Sequence, residues 1–232
     1  MKTIGILGGM SWESSADYYR LLNEGIKTRL GGLHSAKLIL YSVDFAPIAQ
    51  MQKEQNWDEI SVILVEAAEE VQSAGADFLI IASNTIHKVA PQIQANISIP
   101  LLHIADATAH KLIQSEVKTV GLLGTSFTME QEFYSQKLQQ EYGLNVLIPT
   151  NTERDRVNSI IFDELCLGKQ TEESKKFFLS VIDNLENEGA KAIILGCTEI
   201  GGLIKQSDTP VALFDTTDIH AAAAIEMAIK TI

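Results

Sequence analysis

Cys197 ends a short apolar run and is flanked by Gly196 and by Thr198-Glu199, where helical spacing begins. A thiol at a helix N-terminus can be shifted from about 8.5 toward neutrality, which makes thiolate available as a base or nucleophile. Cys166, set between Leu165 and Leu167, reads instead as a packed thiol. Ser83 also ends an apolar run and is followed by Asn84-Thr85. Two turns of small residues, Gly8-Gly9-Met10-Ser11 and Gly124-Thr125-Ser126, each lead into a helical pattern. Backbone N–H groups at such turns suit a carboxylate or phosphate. Neither turn has the three spaced glycines of a dinucleotide fingerprint or the Gly-Lys-Ser/Thr of a phosphate loop, so a small carboxylate ligand is expected. The five histidines show no Cys/His ligand spacing, and no metal site is expected. His87, four residues past Ser83, either orients that turn or satisfies local carbonyls. His220, after Asp215-Thr216-Thr217-Asp218, is equally open, and a Cys-His hydrolase needs its partners to meet only in space.

These residues need a frame, and the sequence supplies one. Buried strands are expected at 3–7, 37–43, 78–81, 119–123 and 192–195, where β-branched and aliphatic residues cluster before small-residue turns. Helical spacing lies between them. From Trp57 the apolar positions are Ile60, Ile63, Leu64, Ala67, Ala68 and Val71, and a later set is Phe177, Phe178, Val181, Ile182 and Leu185. Behind the first turn, Trp12, Ala16, Tyr19, Leu22 and Ile26 are expected on one helix face; behind the second, a helix is expected over 128–142. Alternation of strand and helix implies an α/β protein with mainly parallel sheets.

The chain also repeats itself. Residues 75–86 align without gaps on 189–200, an offset of 114, and 4–9 align on 120–125, an offset of 116. Two doubly wound halves of pseudo-symmetric design are therefore expected, residues 1–100 plus 214–232 and residues 101–213. Ligands of such sheets bind beyond the carboxyl ends of the strands. Facing halves would bring all four turns to one interdomain cleft that serves as the active site. Ser83 occupies in the first half the position of Cys197 in the second. Two proton carriers related in this way would face opposite sides of one ligand carbon, the geometry that inverts a stereocentre.

Composition narrows the partners. The chain has 232 residues, 46% hydrophobic and 21% charged, with a formal net charge of −12 and no Lys/Arg block, so nucleic acid and anionic membranes are not expected as partners. Two cysteines make no disulfide framework and fit a reducing compartment. Residues 3–10 are apolar but hold three glycines and give way to Ser11-Trp12-Glu13, which reads as a strand and turn rather than an export signal. No run approaches the roughly 18 to 20 apolar residues that span a bilayer. A cytoplasmic location is expected.

On Gly8-Gly9-Met10-Ser11, Ser83-Asn84-Thr85, Leu123-Gly124-Thr125, Gly168-Lys169 and Gly196-Cys197-Thr198-Glu199, the sequence resembles the aspartate/glutamate racemase family over essentially its whole length. The opening, with Gly9-Met10-Ser11-Trp12-Glu13, is similar to the bacterial amino-acid racemase branch. The resemblance implies two pseudo-symmetric α/β domains and racemisation of aspartate or glutamate without pyridoxal phosphate, metal or other cofactor. It implies Ser83 and Cys197 as the catalytic pair. Met10, Asn84, Thr85, Thr125, Thr198 and Glu199 fall at positions that hold substrate, and Gln52 and Lys169 resemble residues that approach its side-chain carboxylate. The implied partner is a small dicarboxylic amino acid, with a homodimer left open. One position departs from the pattern: the family's first cysteine is Ser83 here, and a branch of the family has threonine there. A serine hydroxyl is far less acidic than a thiol. The alternatives are a hydantoin racemase, maleate isomerase or arylmalonate decarboxylase-like enzyme, and a dicarboxylic amino-acid binding protein in which Ser83 has ended turnover.

Overall fold

The computed structural model describes residues 1–230, the side chain of Glu132 apart. In chain order the elements are β1 (Ile4–Gly8), α1 (Trp12–Leu30), β2 (Leu38–Ser42), α2 (Phe45–Lys53), α3 (Trp57–Ser73), β3 (Phe78–Ile81), α4 (Ala90–Asn96) and α5 (Ile104–Gln114). There follow β4 (Thr119–Leu123), α6 (Ser126–Glu130), α7 (Glu132–Gln136), β5 (Asn145–Leu147), α8 (Asn151–Asp163), α9 (Glu172–Asn187), β6 (Ala192–Leu195), α10 (Ile200–Leu203), β7 (Ala212–Asp215) and α11 (Thr216–Ile229). All strand pairs are parallel, in two sheets of order β2-β1-β3 and β5-β4-β6-β7. Each half thus places its first strand between its second and third, the order an internal duplication requires.

The chain forms two compact units, Met1–Ile104 with the described residues from His220 on, and Ala105–Ile219. In the first unit, strand alternation sends side chains to two cores. Ile4, Ile6, Phe78 and Ile80 meet Tyr18, Leu22 and Ile26 of α1 and Ala221, Ala224, Ile225 and Ala228 of α11. Leu7, Leu79 and Ile81 meet Ile60, Leu64, Ala68 and Val71 of α3 and Ile93 of α4. Each fully buried aliphatic side chain stabilises by about 1.5–3 kcal/mol. The duplication extends to packing detail. A Cβ on Gly5 would collide with Val71 of α3, and one on Gly121 would collide with Leu185 of α9. Both glycines let a helix lie close on the central strand.

The fourth strand distinguishes the sheets. In the second, β7 pairs fully with β6, from Ala192↔Ala212 to Leu195↔Asp215. In the first, only an isolated bridge, Leu79↔Leu101, lies beside β3. Pro100, which has no N–H to donate, precedes it, and Leu79 N–H donates to the Pro100 carbonyl.

Two expectations need correction. Trp12, Ala16 and Tyr19 do not share a buried face with Leu22 and Ile26: Trp12 is 67% exposed and Tyr19 53%, and Ala16 is exposed as well. Ser15 is drawn under the preceding turn by a hydrogen bond from Gly9 N–H at 2.7 Å, which sets the inward line as Ser15, Tyr18, Leu22 and Ile26. The helix over 128–142 is broken instead: α6 starts at Ser126, Gln131 is extended, and residues 137–141 form a π turn. Met129, Tyr134 and Leu138 are all buried, and a spacing of five cannot stay on one helical face, so the extended residue resets the phase.

Candidate active site

In the first unit the ends of β1 and β3 lie side by side. Leu7 pairs with Ile81, and Ala82 N–H donates to the Leu7 carbonyl at 2.9 Å. The turn at Gly9 has φ +94°, and a side chain there would run into the backbone of Val43, so both conformation and space require glycine. Its N–H groups are partly spent inside the turn, contrary to the expectation that they await an anion. Gly9 N–H goes to Ser15 Oγ, and Ser14 N–H to Ser11 Oγ at 3.3 Å. Met10 is buried in the core with Leu7, Ile48 and Ile81, so its side chain packs. Past β3, Ser83 is half-buried, Asn84 is buried and Thr85 opens a 3-10 turn, Thr85–Val89. His87 Nδ1 lies 2.7 Å from the Ser83 carbonyl oxygen. His87 therefore both orients the turn and satisfies a local carbonyl. Gln52 is buried on α2, one turn past Ile48 of the same core.

The second unit repeats the arrangement. Leu123 pairs with Leu195, and Gly196 N–H donates to the Leu123 carbonyl at 2.6 Å. This seats Gly124-Thr125 beside Gly196-Cys197. Thr125 caps α6 by accepting from Thr128 N–H at 3.3 Å, and Ser126 N–H is taken by Asn158 Oδ1 at 2.9 Å. Helix α6 has five residues and α10 four, so neither sums many peptide dipoles.

That matters most at Cys197. The sequence points to a thiol lowered by a helix end; the structure reverses the direction. Cys197 Sγ–H donates to Glu199 Oε2 at 2.9 Å, and Thr198 Oγ1 donates to the same oxygen at 2.7 Å. Burial pushes the thiol well above its ordinary range, and the Glu199 carboxylate and the neighbouring Cys166 add to the shift. A carboxylate hydrogen-bonded to a thiol favours the protonated form. Cys166, expected to be a packed thiol, is thus an electrostatic neighbour of Cys197. Lys169 is exposed just past Gly168, which ends the 3-10 turn Leu165–Leu167 at φ 70°. The amide of Gln170 lies against Gly202 of α10, which brings the Lys169 loop beside the Cys197 segment.

Asp215, at the end of β7 beside Leu195, was not singled out by the sequence. Its Oδ1 accepts from Thr217 N–H at 2.8 Å and from Asp218 N–H at 3.4 Å. Burial, with Asp218 nearby, raises its pKa to about 6. The available signal was an Asp preceding an apparent helix start. Among the described residues no group of three or more His, Cys, Asp or Glu could hold a metal ion. No helix of the described residues is long and apolar enough to cross a membrane.

Comparison with known proteins finds relatives over nearly the whole chain. A family model described as Asp/Glu/Hydantoin racemase matches residues 7–224. A Yersinia pestis protein solved as a candidate Asp/Glu racemase is 49% identical with a TM-score of 0.94, covering 99% of this chain and 100% of that one. An aspartate racemase homologue from Pyrococcus horikoshii is 36% identical with a TM-score of 0.86, covering 98% and 99%. The broad specificity amino-acid racemase RacX of Bacillus subtilis is 22% identical over 225 residues, 96% of each chain.

Proposed function

This chain belongs to the Asp/Glu/hydantoin racemase family, and on that premise we propose that it interconverts the enantiomers of aspartate, glutamate or both without a cofactor. Cys197 and Ser83 are the proton carriers, one for each face of Cα. The observation that carries this reading is the equivalence of the two positions. Each follows the third strand of a parallel sheet of the same order, and each lies beside the small-residue turn of the central strand.

The Cα–H bond breaks with its proton going to one carrier, and the resulting carbanion takes a proton from the other. At rest Cys197 is a thiol, hence a proton donor. To act as base it first gives its proton to Glu199 along the 2.9 Å hydrogen bond, while Thr198 holds the same carboxylate oxygen. Ser83 donates from the opposite face and is the weaker base of the two. Asn84, Thr85, Thr198 and Glu199, with the turns at Met10 and Thr125, hold the amino acid. Gln52 and Lys169 serve its side-chain carboxylate.

A second reading is favoured by the same two groups. One hydroxyl and one thiol held in its protonated form are a poor resting pair of bases, which suits a dicarboxylic amino-acid binding protein. Incubation with each enantiomer of aspartate and of glutamate in heavy water separates the two. Deuterium at Cα is expected, faster from one enantiomer. Binding of aspartate without exchange would establish the second reading, and turnover of maleate or a substituted hydantoin in parallel assays would redirect the first.

A further inference from the structure

We infer that His87 is a positioning residue that holds the Ser83 turn in place as a neutral imidazole protonated at Nδ1, an assignment that rests on the reading of Ser83 as a proton carrier. The tautomer follows from the partners. A carbonyl oxygen has no hydrogen to give, so at 2.7 Å from the Ser83 carbonyl His87 Nδ1 must donate. The backbone N–H of Ile104 can only donate, so Nε2, 3.2 Å away, must accept. Both ring nitrogens are thereby engaged, and the ring is 1% exposed. An imidazolium would turn an N–H toward the N–H of Ile104. Burial, and the neighbouring His103 and His220, hold the ring's pKa well below the ordinary histidine value.

A second imidazole extends the hold. His220, fully buried, has Nε2 2.8 Å from the Leu102 carbonyl, so that nitrogen carries a hydrogen. Its Nδ1 lies 2.8 Å from the Tyr18 hydroxyl. Tyr18 lies on α1, the helix that opens from the Gly8-Gly9-Met10-Ser11 turn. The ring centroids of His87 and His220 are 5.8 Å apart, and those of His87 and His103 are 4.5 Å apart. The Ser83 turn, the segment 102–104 and α1 are thus laced together behind the carrier, within the first unit. A weakly acidic hydroxyl contributes only where it is held in line with Cα, and a displacement of about 1 Å can cost on the order of 10²-fold in rate.

The substitutions divide the two bonds. Asparagine can place an amide N–H near the Nδ1 position and keep the Ser83 bond; glutamine reaches the Nε2 position and loses it. His87→Ala is expected to lower kcat by about 10- to 100-fold with KM little changed. His87→Asn should recover most of the loss and His87→Gln should not. Cα–deuterium exchange of the enantiomer that faces Cys197 should fall less than racemisation in His87→Ala, because only the second carrier is displaced. Imidazole ¹⁵N shifts of the whole protein should report the Nδ1–H tautomer for His87 whether or not turnover is measured. An Nε2–H tautomer, wild-type kcat in folded His87→Ala, or equal rescue by Gln and Asn would overturn the assignment. Should His87→Ala not fold, the Asn and Gln pair carries the test. If Ser83→Ala keeps full turnover, the reading of Ser83 fails and the assignment with it; loss in Ser83→Ala without loss in folded His87→Ala overturns the assignment alone.

Discussion

The turns after β3 and β6 begin from the same plan and diverge at the first polar contact. Both strands are four residues long and buried throughout, and the turns that follow carry Ser83 and Cys197, both half-buried. In the first, the fixed partner is a neutral imidazole and it grips the main chain of Ser83. In the second, the fixed partner is a carboxylate and it grips the side chain of Cys197. One partner contacts the backbone of the turn residue; the other contacts its ionisable side chain. A duplicated scaffold can therefore keep two sites in matching places while giving each a different acid–base character.

The largest test of this contrast is to remove the thiol. Cys197→Ala should lower turnover about a thousandfold, within the usual range for loss of general acid–base catalysis, with aspartate binding still measurable by calorimetry. Turnover near wild type would end the assignment. Next, Ser83→Cys should make the two turns chemically alike. It is expected to raise kcat for the slower enantiomer by about tenfold and change the faster one less. Separate kcat and KM for both enantiomers decide this, since the equilibrium between mirror images cannot move.

Glu199→Gln sharpens the comparison further. Burial remains, but the charge that adds to it is gone, so the Cys197 thiol should titrate at lower pH. Alkylation of Cys197, followed by mass spectrometry to separate it from Cys166, should speed up several-fold at pH 7, and its rise with pH should move toward neutrality. An unchanged profile would mean that Glu199 does not hold the proton. The smallest effect is expected at Asp215. Its folded pKa of about 6 lies above the ordinary 3.8, so the ionised carboxyl costs stability that appears as pH rises from about 4 through 6. Asp215→Asn keeps a capping side chain and should stabilise by about 1–3 kcal/mol at pH 7 and by almost nothing at pH 4, read from urea unfolding.

Much of the frame was legible because burial on both faces writes a strand as a continuous aliphatic run. The strands at 78–81, 119–123 and 192–195 have the expected bounds, and α3 buries five of its six expected positions fully. Strand β5 was missed because three residues at a sheet edge carry no run to read, and β7 because Ala212 to Asp215 alternates burial only weakly. The positions of Ser83 and Cys197 followed from the strand ends. The state of the thiol did not. It depends on how a carboxylate two residues away folds back onto the sulfur, and that is set by the backbone of a four-residue helix start rather than by residue type.

The route of α11 has a consequence for how the protein is made. The second unit, Ala105–Ile219, is one continuous stretch of chain, so every residue it needs has been synthesised once position 219 is reached. The first unit begins earlier and is completed later. Until α11 is available, Ile4, Ile6, Tyr18 and Leu22 lack the covering supplied by Ala221, Ala224, Ile225 and Ala228, and Lys2 N–H lacks its acceptor, the carbonyl of Ala228. Ile225 must also seat itself against Gly25, where a Cβ would leave no room. The half that leaves the ribosome first is therefore the half that must wait, with an apolar face open to chaperones for the time it takes to translate the other.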